Sequence, residues 1–151
     1  MGSASDSHIV EKVIKVLKEF DVDYEVKVIS AHRALNVLKD YVDNTDSKIF
    51  IAMAGKAAHL AGVIAGMTVK PVIGIPIKSS TMDGLDSLLS TVQMPRGIPV
   101  GTVAIDGGEN AALLAISMLG IEDEILKNKL VDYRKKLEEE VVTADKELNI
   151  K

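Results

Sequence analysis

Apolar runs alternate with helix-like segments along this chain, and that alternation constrains the fold more than any other feature. Two runs, KIFIAMA and PVIGIPI, are continuously apolar, which is typical of parallel strands covered on both faces. The predicted strands are 24–30, 48–54, 71–77 and 101–105. Apolar residues at three- to four-residue steps predict helices over 7–20, 34–44, 56–67, 85–92, 108–120 and 122–147. Strands and helices in this order, without hairpin signals, predict an α/β fold with helices on both faces of a parallel sheet. We expect a single domain spanning 1–151.

Composition excludes several classes of function. The net charge of −4 and an aromatic content of 3% argue against nucleic acid as the partner. The absence of cysteine excludes disulfides, thiolate metal sites and cysteine nucleophiles. No apolar run approaches the length of a membrane span, and no signal peptide opens the chain, so we expect a cytoplasmic protein without a membrane partner.

The stretch GSASD at the start of the chain is the first candidate binding loop. Ser3, Ser5 and Asp6 lie just before the first predicted helix. Hydroxyls and free backbone N–H groups at a helix N-terminus suit a phosphate, and Asp6 could accept hydrogen bonds from ribose hydroxyls. The alternative interpretation is a simple helix cap, with Ser5 or Asp6 in that role.

The stretch SAHR follows the predicted strand 24–30, and ligands bind at the carboxyl ends of parallel strands. Arg33 beside Ser30 is suited to clamp a phosphate. His32 stands at the same edge, and imidazole is the side chain best suited to proton transfer near neutral pH. A surface His–Arg pair in a turn is the alternative interpretation.

The stretch AGKAAHL follows the strand 48–54. Gly55 and the small residues after it allow backbone amides to approach a ligand closely. His59 falls about one turn into the next helix, where it either lines the pocket or has no functional role. Later in the chain, 79–102 is rich in Ser, Gly and Pro and suits a pocket wall or a subunit contact, and DGGEN (106–110) favours a turn with a helix cap over a second phosphate loop.

Other well-known site types are missing from the sequence. No G-x-G-x-x-G or Walker loop is present, and the three histidines have no metal-ligand spacing, so we expect no metal. A G-x-S-x-G elbow is also absent. A phospho-receiver domain would need an aspartate where this chain has Ala54-Gly55.

Four motifs in order, GSASD, SAHR, AGKAAHL and GLDSLLSTVQMPRGIPVGT, closely resemble the N5-carboxyaminoimidazole ribonucleotide mutase family of purine biosynthesis. The resemblance runs from Met1 to about residue 142. It implies a flavodoxin-like three-layer sandwich, a homo-octamer with sites near subunit contacts, a nucleotide substrate, and no metal or organic cofactor. The long helix 122–147 is then expected at a subunit contact.

The resemblance also implies roles for individual residues. His32 matches the general acid/base. The ribose 5-phosphate is held by residues that match Ser3, Ser5, Asp6, Ser30 and Arg33. The loop around the carboxylate or transient CO2 matches Ala54, Gly55, Lys56, Ala57, His59 and Leu60.

The chain departs from the family pattern at several positions, and two alternative functions stay open. Ala34-Leu35 stand where Thr-Pro is usual, and Lys56 and Ala61 replace a Gly and a Pro. Lys56 either points outward or changes how the carboxylate is held. Arg33 and the run 57–60 favour the mutase over a sister carboxylase that uses CO2 directly. The other alternative is a non-catalytic nucleotide-binding assembly protein. Such a protein would not need a proton-transfer group at His32.

The start of the chain raises a further expectation. Family members carry a short apolar strand before the residues that match Met1 and Gly2, and in a flavodoxin-like sheet that first strand lies centrally. The expected slot lies between 24–30 and 48–54. We therefore expect Met1 to be an internal start and the region 1–30 to be weakened or rearranged.

Overall fold

The computed structural model describes residues 1–80 and 82–148. Within those residues a short 3-10 turn, Ala4–Asp6, precedes the first α-helix. The α-helices are α1 (Ser7–Glu19), α2 (Leu35–Asn44), α3 (Leu60–Ala65), α4 (Leu85–Val92), α5 (Gly108–Leu119) and α6 (Glu124–Leu148). The strands are β1 (Phe50–Gly55), β2 (Val72–Ile77) and β3 (Gly101–Thr102).

The three strands form a parallel sheet in the order β1-β2-β3. β1 and β2 pair along their whole length, from Phe50 opposite Val72 to Gly55 opposite Ile77. All six residues of β2 are buried, as the continuous apolar run predicted. The predicted α/β class with a parallel sheet is therefore confirmed.

Alternate side chains of the strands point to opposite faces of the sheet. Phe50, Ala52 and Val72 lie on one face and pack in a cluster with buried residues of α2 and α3. On that face α4 lies directly against Gly74, where an added Cβ would overlap the methyl group of Thr91. α1 and α5 approach each other closely at Gly108. An added Cβ on this residue would lie 2.9 Å from the carbonyl oxygen of Ile9.

The predicted strand over 24–30 is wrong, because this segment has no ladder partner in the described structure. Among the described residues, backbone hydrogen bonds join this segment to Met1: Met1 N donates to Lys27 O at 2.8 Å and Ile29 N–H donates to Met1 O at 2.9 Å. Gly2 N–H in turn donates to Met53 O of β1 at 3.2 Å. Met1 and Gly2 thus join the segment to β1 at one end, and the described residues form no continuous ladder between the segment and β1.

The predicted strand over 101–105 is shorter than expected. β3 pairs with β2 only through Ile73 opposite Gly101 and Gly74 opposite Thr102. Further along, Pro76 O accepts a hydrogen bond from Asp106 N–H. A residue's N–H and C=O face the same neighbour, and proline has no N–H to donate, so the ladder with β3, whose last pair is Gly74 and Thr102, cannot continue through Pro76.

Two compact units are distinguished by their internal contacts, Met1–Ala115 and the part from Ile116 onward. The first contains the sheet and the predicted site residues. The second consists mainly of α6, which has no buried side chain between Glu124 and Leu148. Among the described residues no helix combines the length and apolar character needed to cross a membrane.

Candidate active site

Backbone hydrogen bonds bring the three predicted stretches together beside the carboxyl end of β1. Gly2 N–H donates to Met53 O, and a Cβ on Gly2 would lie 4.0 Å from the Cβ of Ala54. Met1 O accepts from Ile29 N–H, directly before Ser30. The GSASD loop therefore lies between the start of SAHR and the start of AGKAAHL, at the edge where parallel sheets bind ligands.

Hydroxyl and carboxylate groups are concentrated in the GSASD loop. Ser3 caps the 3-10 turn, since its Oγ accepts from Ser5 N–H at 3.3 Å. Ser5 Oγ lies 2.9 Å from both Ser3 Oγ and Asp6 Oδ1. Asp6 is only 8% exposed, so its carboxylate is held in place. Asp6 occupies the position before α1 without making a side-chain cap bond, so its predicted capping role is wrong.

The SAHR stretch forms a tight turn that ends at α2. Ala34 N–H donates to Ser30 O at 2.9 Å, and Arg33 Nε donates to Ser30 Oγ at 3.3 Å. Arg33 is exposed, and within the described residues its guanidinium makes no other hydrogen bond. Its remaining N–H donors form the planar fork that fits a phosphate or a carboxylate.

The two candidate histidines are in direct contact. His32 Nε2 lies 2.9 Å from His59 Nδ1, and the rings meet edge to face at 77° with centroids 5.1 Å apart. His32 comes from the SAHR turn and His59 from the residue before α3. The sequence singled out each histidine but not this contact, whose only signal was that both follow the carboxyl ends of predicted strands.

The AGKAAHL loop keeps α3 from starting as early as predicted. Lys56 has a φ of +55°, a left-handed conformation that a helix cannot contain. Ala58 N–H then donates to Lys56 O and His59 N–H to Ala57 O, both at 2.9 Å, and α3 begins only at Leu60. Lys56, Ala57 and His59 are exposed, whereas Leu60 is buried.

Further polar groups follow β2 and β3, in or next to the stretches 79–102 and 106–110. Lys78 N–H donates to Asp106 Oδ1 at 2.9 Å, and Lys78 Nζ pairs with Asp83 at 2.8 Å. The hydrogen bond to Asp83 raises the pKa of Lys78 above its usual value. Ser79 Oγ lies 2.8 and 2.9 Å from the two carboxylate oxygens of Asp86. Ser79 and Asp86 both belong to the stretch 79–102, for which the sequence left a pocket wall and a subunit contact as alternatives.

The described residues offer no group of three or more His, Asp or Glu side chains that could hold a metal ion. What the site does combine is a hydroxyl-rich loop, a guanidinium fork and a pair of imidazoles. That combination can bind an anionic sugar phosphate and move a proton.

Comparisons with known proteins agree with this chemistry. The model of the family described as AIR carboxylase matches residues 1–140. A protein of Methanocaldococcus jannaschii named N5-carboxyaminoimidazole ribonucleotide mutase is 51% identical over 148 residues, covering 98% of this chain and 94% of the relative. A Pyrococcus abyssi protein of the same name is 55% identical over 137 residues, covering 89% and 79%. The crystal structure of Treponema denticola PurE matches with a TM-score of 0.88 at 29% identity, covering 99% of this chain and 96% of that one.

Proposed function

The chain belongs to the AIR carboxylase family, and on that basis we propose that it is an N5-carboxyaminoimidazole ribonucleotide mutase of purine biosynthesis. The enzyme moves a carboxylate from the exocyclic nitrogen of the aminoimidazole to ring carbon C4. The observation that carries the proposal is the meeting of GSASD, SAHR and AGKAAHL at the carboxyl end of β1.

In this proposal the ribose 5-phosphate is bound by the first two stretches. Arg33 supplies a charged fork next to Ser30, and Ser3 and Ser5 supply hydroxyls near the start of α1. The buried Asp6 accepts hydrogen bonds from the ribose rather than contacting the phosphate, because two anions would repel. Binding energy far from the reacting atoms then fixes the imidazole ring for reaction.

His32 is proposed as the one group that gives and later takes the proton. In the first step its imidazolium protonates the exocyclic nitrogen as the bond from nitrogen to carboxylate carbon breaks and CO2 is released. In the second step C4 attacks the same CO2, and the neutral His32 removes the proton from C4. The proton returns to where it started, so the net reaction is an isomerisation without any change of oxidation state.

The CO2 must stay in the site between the two steps. The small residues Ala54, Gly55 and Ala57 leave room for it, and in this proposal the exposed Lys56 brings a positive charge next to the carboxylate. Lys56, Ala57 and both histidines are exposed in the single chain, whereas this chemistry requires a site without bulk water. We therefore include in the proposal a homo-oligomer, an octamer by family resemblance, in which a second copy covers the site. A cytoplasmic location is part of the same proposal.

A direct AIR carboxylase is the second candidate, and labelled carbon distinguishes the two. We expect purified protein to convert N5-carboxyaminoimidazole ribonucleotide in a medium of ¹³C-bicarbonate and to retain the substrate's own unlabelled carboxylate carbon. A direct carboxylase would need aminoimidazole ribonucleotide and would incorporate the label. A protein that binds the nucleotide but converts neither substrate would be the non-catalytic alternative, and our proposal would be wrong.

The His32→Asn variant tests the role of the imidazole. We expect turnover to fall at least ~100-fold, the usual loss when a general acid/base is removed, while nucleotide binding is retained. Because His32 is exposed, the melting temperature should not change. His8→Asn, at an exposed position in α1, is the matched control and should keep full activity. Turnover close to wild type in His32→Asn would rule out this assignment.

A further inference from the structure

We propose that His59 is a positioning residue that keeps a proton on Nε2 of His32, so that Nδ1 of His32 is the nitrogen that gives and takes the catalytic proton. The proposal rests on the function proposed above and deepens it. Its starting point is the 2.9 Å distance between His32 Nε2 and His59 Nδ1, which is a hydrogen-bond length.

The direction of this hydrogen bond follows from the chemistry of the first step. As the acid, His32 carries protons on both ring nitrogens, so Nε2–H must donate and His59 Nδ1 must accept. His59 then carries its own proton on Nε2. A proton on His59 Nδ1 would face the Nε2–H of His32 and break the contact.

The same arrangement serves the second step without any rearrangement. After His32 has given up the proton from Nδ1, the ring is neutral, and Nε2–H still donates to His59. Nδ1 is then unprotonated, and its lone pair can accept the proton from C4. A histidine whose other nitrogen is fixed by a hydrogen bond has one defined tautomer. No other hydrogen bond to the ring of His32 exists among the described residues, so His59 is the one partner that can define it.

The local structure allows His59 to be changed without loss of the fold. His59 precedes α3 as its N-cap residue, yet its side chain makes no cap hydrogen bond. It is also exposed, whereas the neighbouring Ala58 and Leu60 are buried and hold the loop. Asparagine is a preferred N-cap residue, and its Oδ1 can take the place of the imidazole Nδ1 as acceptor.

The experiment compares His59→Leu and His59→Asn with wild type in the full chain. For His59→Leu we expect kcat to fall about 10- to 100-fold, as misplacement of a reacting group does, with KM changed less than about twofold. His59→Asn should recover most of kcat because the acceptor is restored. In ¹⁵N spectra of the imidazoles, neutral His32 should show the Nε2–H tautomer alone in wild type and in His59→Asn. It should show a mixture of tautomers in His59→Leu.

Each other outcome overturns the inference. An unchanged kcat or an unchanged His32 spectrum in His59→Leu would show that His59 does not set the tautomer. A raised KM at constant kcat would make His59 a substrate-binding residue instead. The spectra need no substrate, so this inference can fail while the mutase function stands. A wild-type protein without turnover would overturn the proposed function whatever the spectra show.

Discussion

Among single residues, Arg33 is the one whose binding role can be separated most cleanly from proton transfer. Within the part of the chain that the structure describes, its guanidinium makes one hydrogen bond, to Ser30, and the side chain is exposed. We expect Arg33→Ala to weaken nucleotide binding by roughly 1.5–3 kcal/mol, the range for charge-assisted hydrogen bonds. The effect should fall near the lower limit because exposed charges are screened. Isothermal titration with the nucleotide measures it, and kcat should stay close to wild type.

The control for Arg33→Ala is the same ligand without its phosphate. Wild type and Arg33→Ala should bind the dephosphorylated nucleoside equally. Arg33→Lys should give an intermediate loss for the nucleotide, because lysine keeps the charge but has no planar fork. If Arg33→Ala lost equal affinity for the nucleoside and the nucleotide, Arg33 would not bind the phosphate.

The sequence predicted the residue types of the candidate site better than their contacts. Ser30, His32 and Arg33 could be singled out because a strand-like run ended just before them, and ligands bind at such ends. The contact between His32 and His59 could not be predicted, since it depends on how far the AGKAAHL loop extends before α3 starts. That length depends on the left-handed backbone conformation of Lys56. Lysine rarely adopts this conformation, so the sequence does not predict it.

At the scale of the structural elements, one backbone group links the GSASD loop to β1 by a hydrogen bond among the described residues. Gly2 N–H donates to the carbonyl of the buried Met53. Gly2→Pro removes this donor, and an unpaired buried carbonyl costs about 1–3 kcal/mol. We expect a lower melting temperature and weaker nucleotide binding together, because the same bond holds the loop that carries Ser3 and Ser5. Thermal unfolding and titration calorimetry measure the two effects.

Gly2→Ala is the matched control. The nearest atoms to an added Cβ, on Ala54 and Met53, are both 4.0 Å away, so a methyl group fits and the N–H is kept. Stability and binding should therefore remain near wild type. If Gly2→Ala were as damaging as Gly2→Pro, the glycine would matter for its lack of a side chain and not for its hydrogen bond.

The sequence predicted helices better than strands, because a helix forms its hydrogen bonds within one segment. α4 was predicted at its observed bounds, 85–92, because apolar spacing defines a helix locally. A strand depends also on its neighbour. The segment 24–30 has the alternation of a strand, but among the described residues it is joined to β1 through Met1 and Gly2 alone. β3 is short because Pro76 of β2 has no N–H to donate. Pairing partners of this kind are not visible in the periodicity of one segment.

At the scale of the whole molecule, α6 carries exposed apolar residues. Ile125 and Val141 are 71% and 70% exposed, and no side chain of this 25-residue helix is buried. Isolated helices are marginal in water and are normally stabilised by packing of an apolar face. This exposure supports the proposal that α6 contacts another copy of the chain in a homo-oligomer.

Sedimentation of altered chains tests that proposal. Truncation after Gly120 should lower the assembly state, because it removes all of α6. In the full chain, Val141→Lys should also lower it, since a charge at an apolar contact must be desolvated without a partner. Glu140→Lys changes the charge at the neighbouring exposed position and should have a smaller effect. Activity should fall in parallel with assembly if a second copy covers the exposed histidines. An unchanged assembly state after truncation would exclude α6 from the subunit contact.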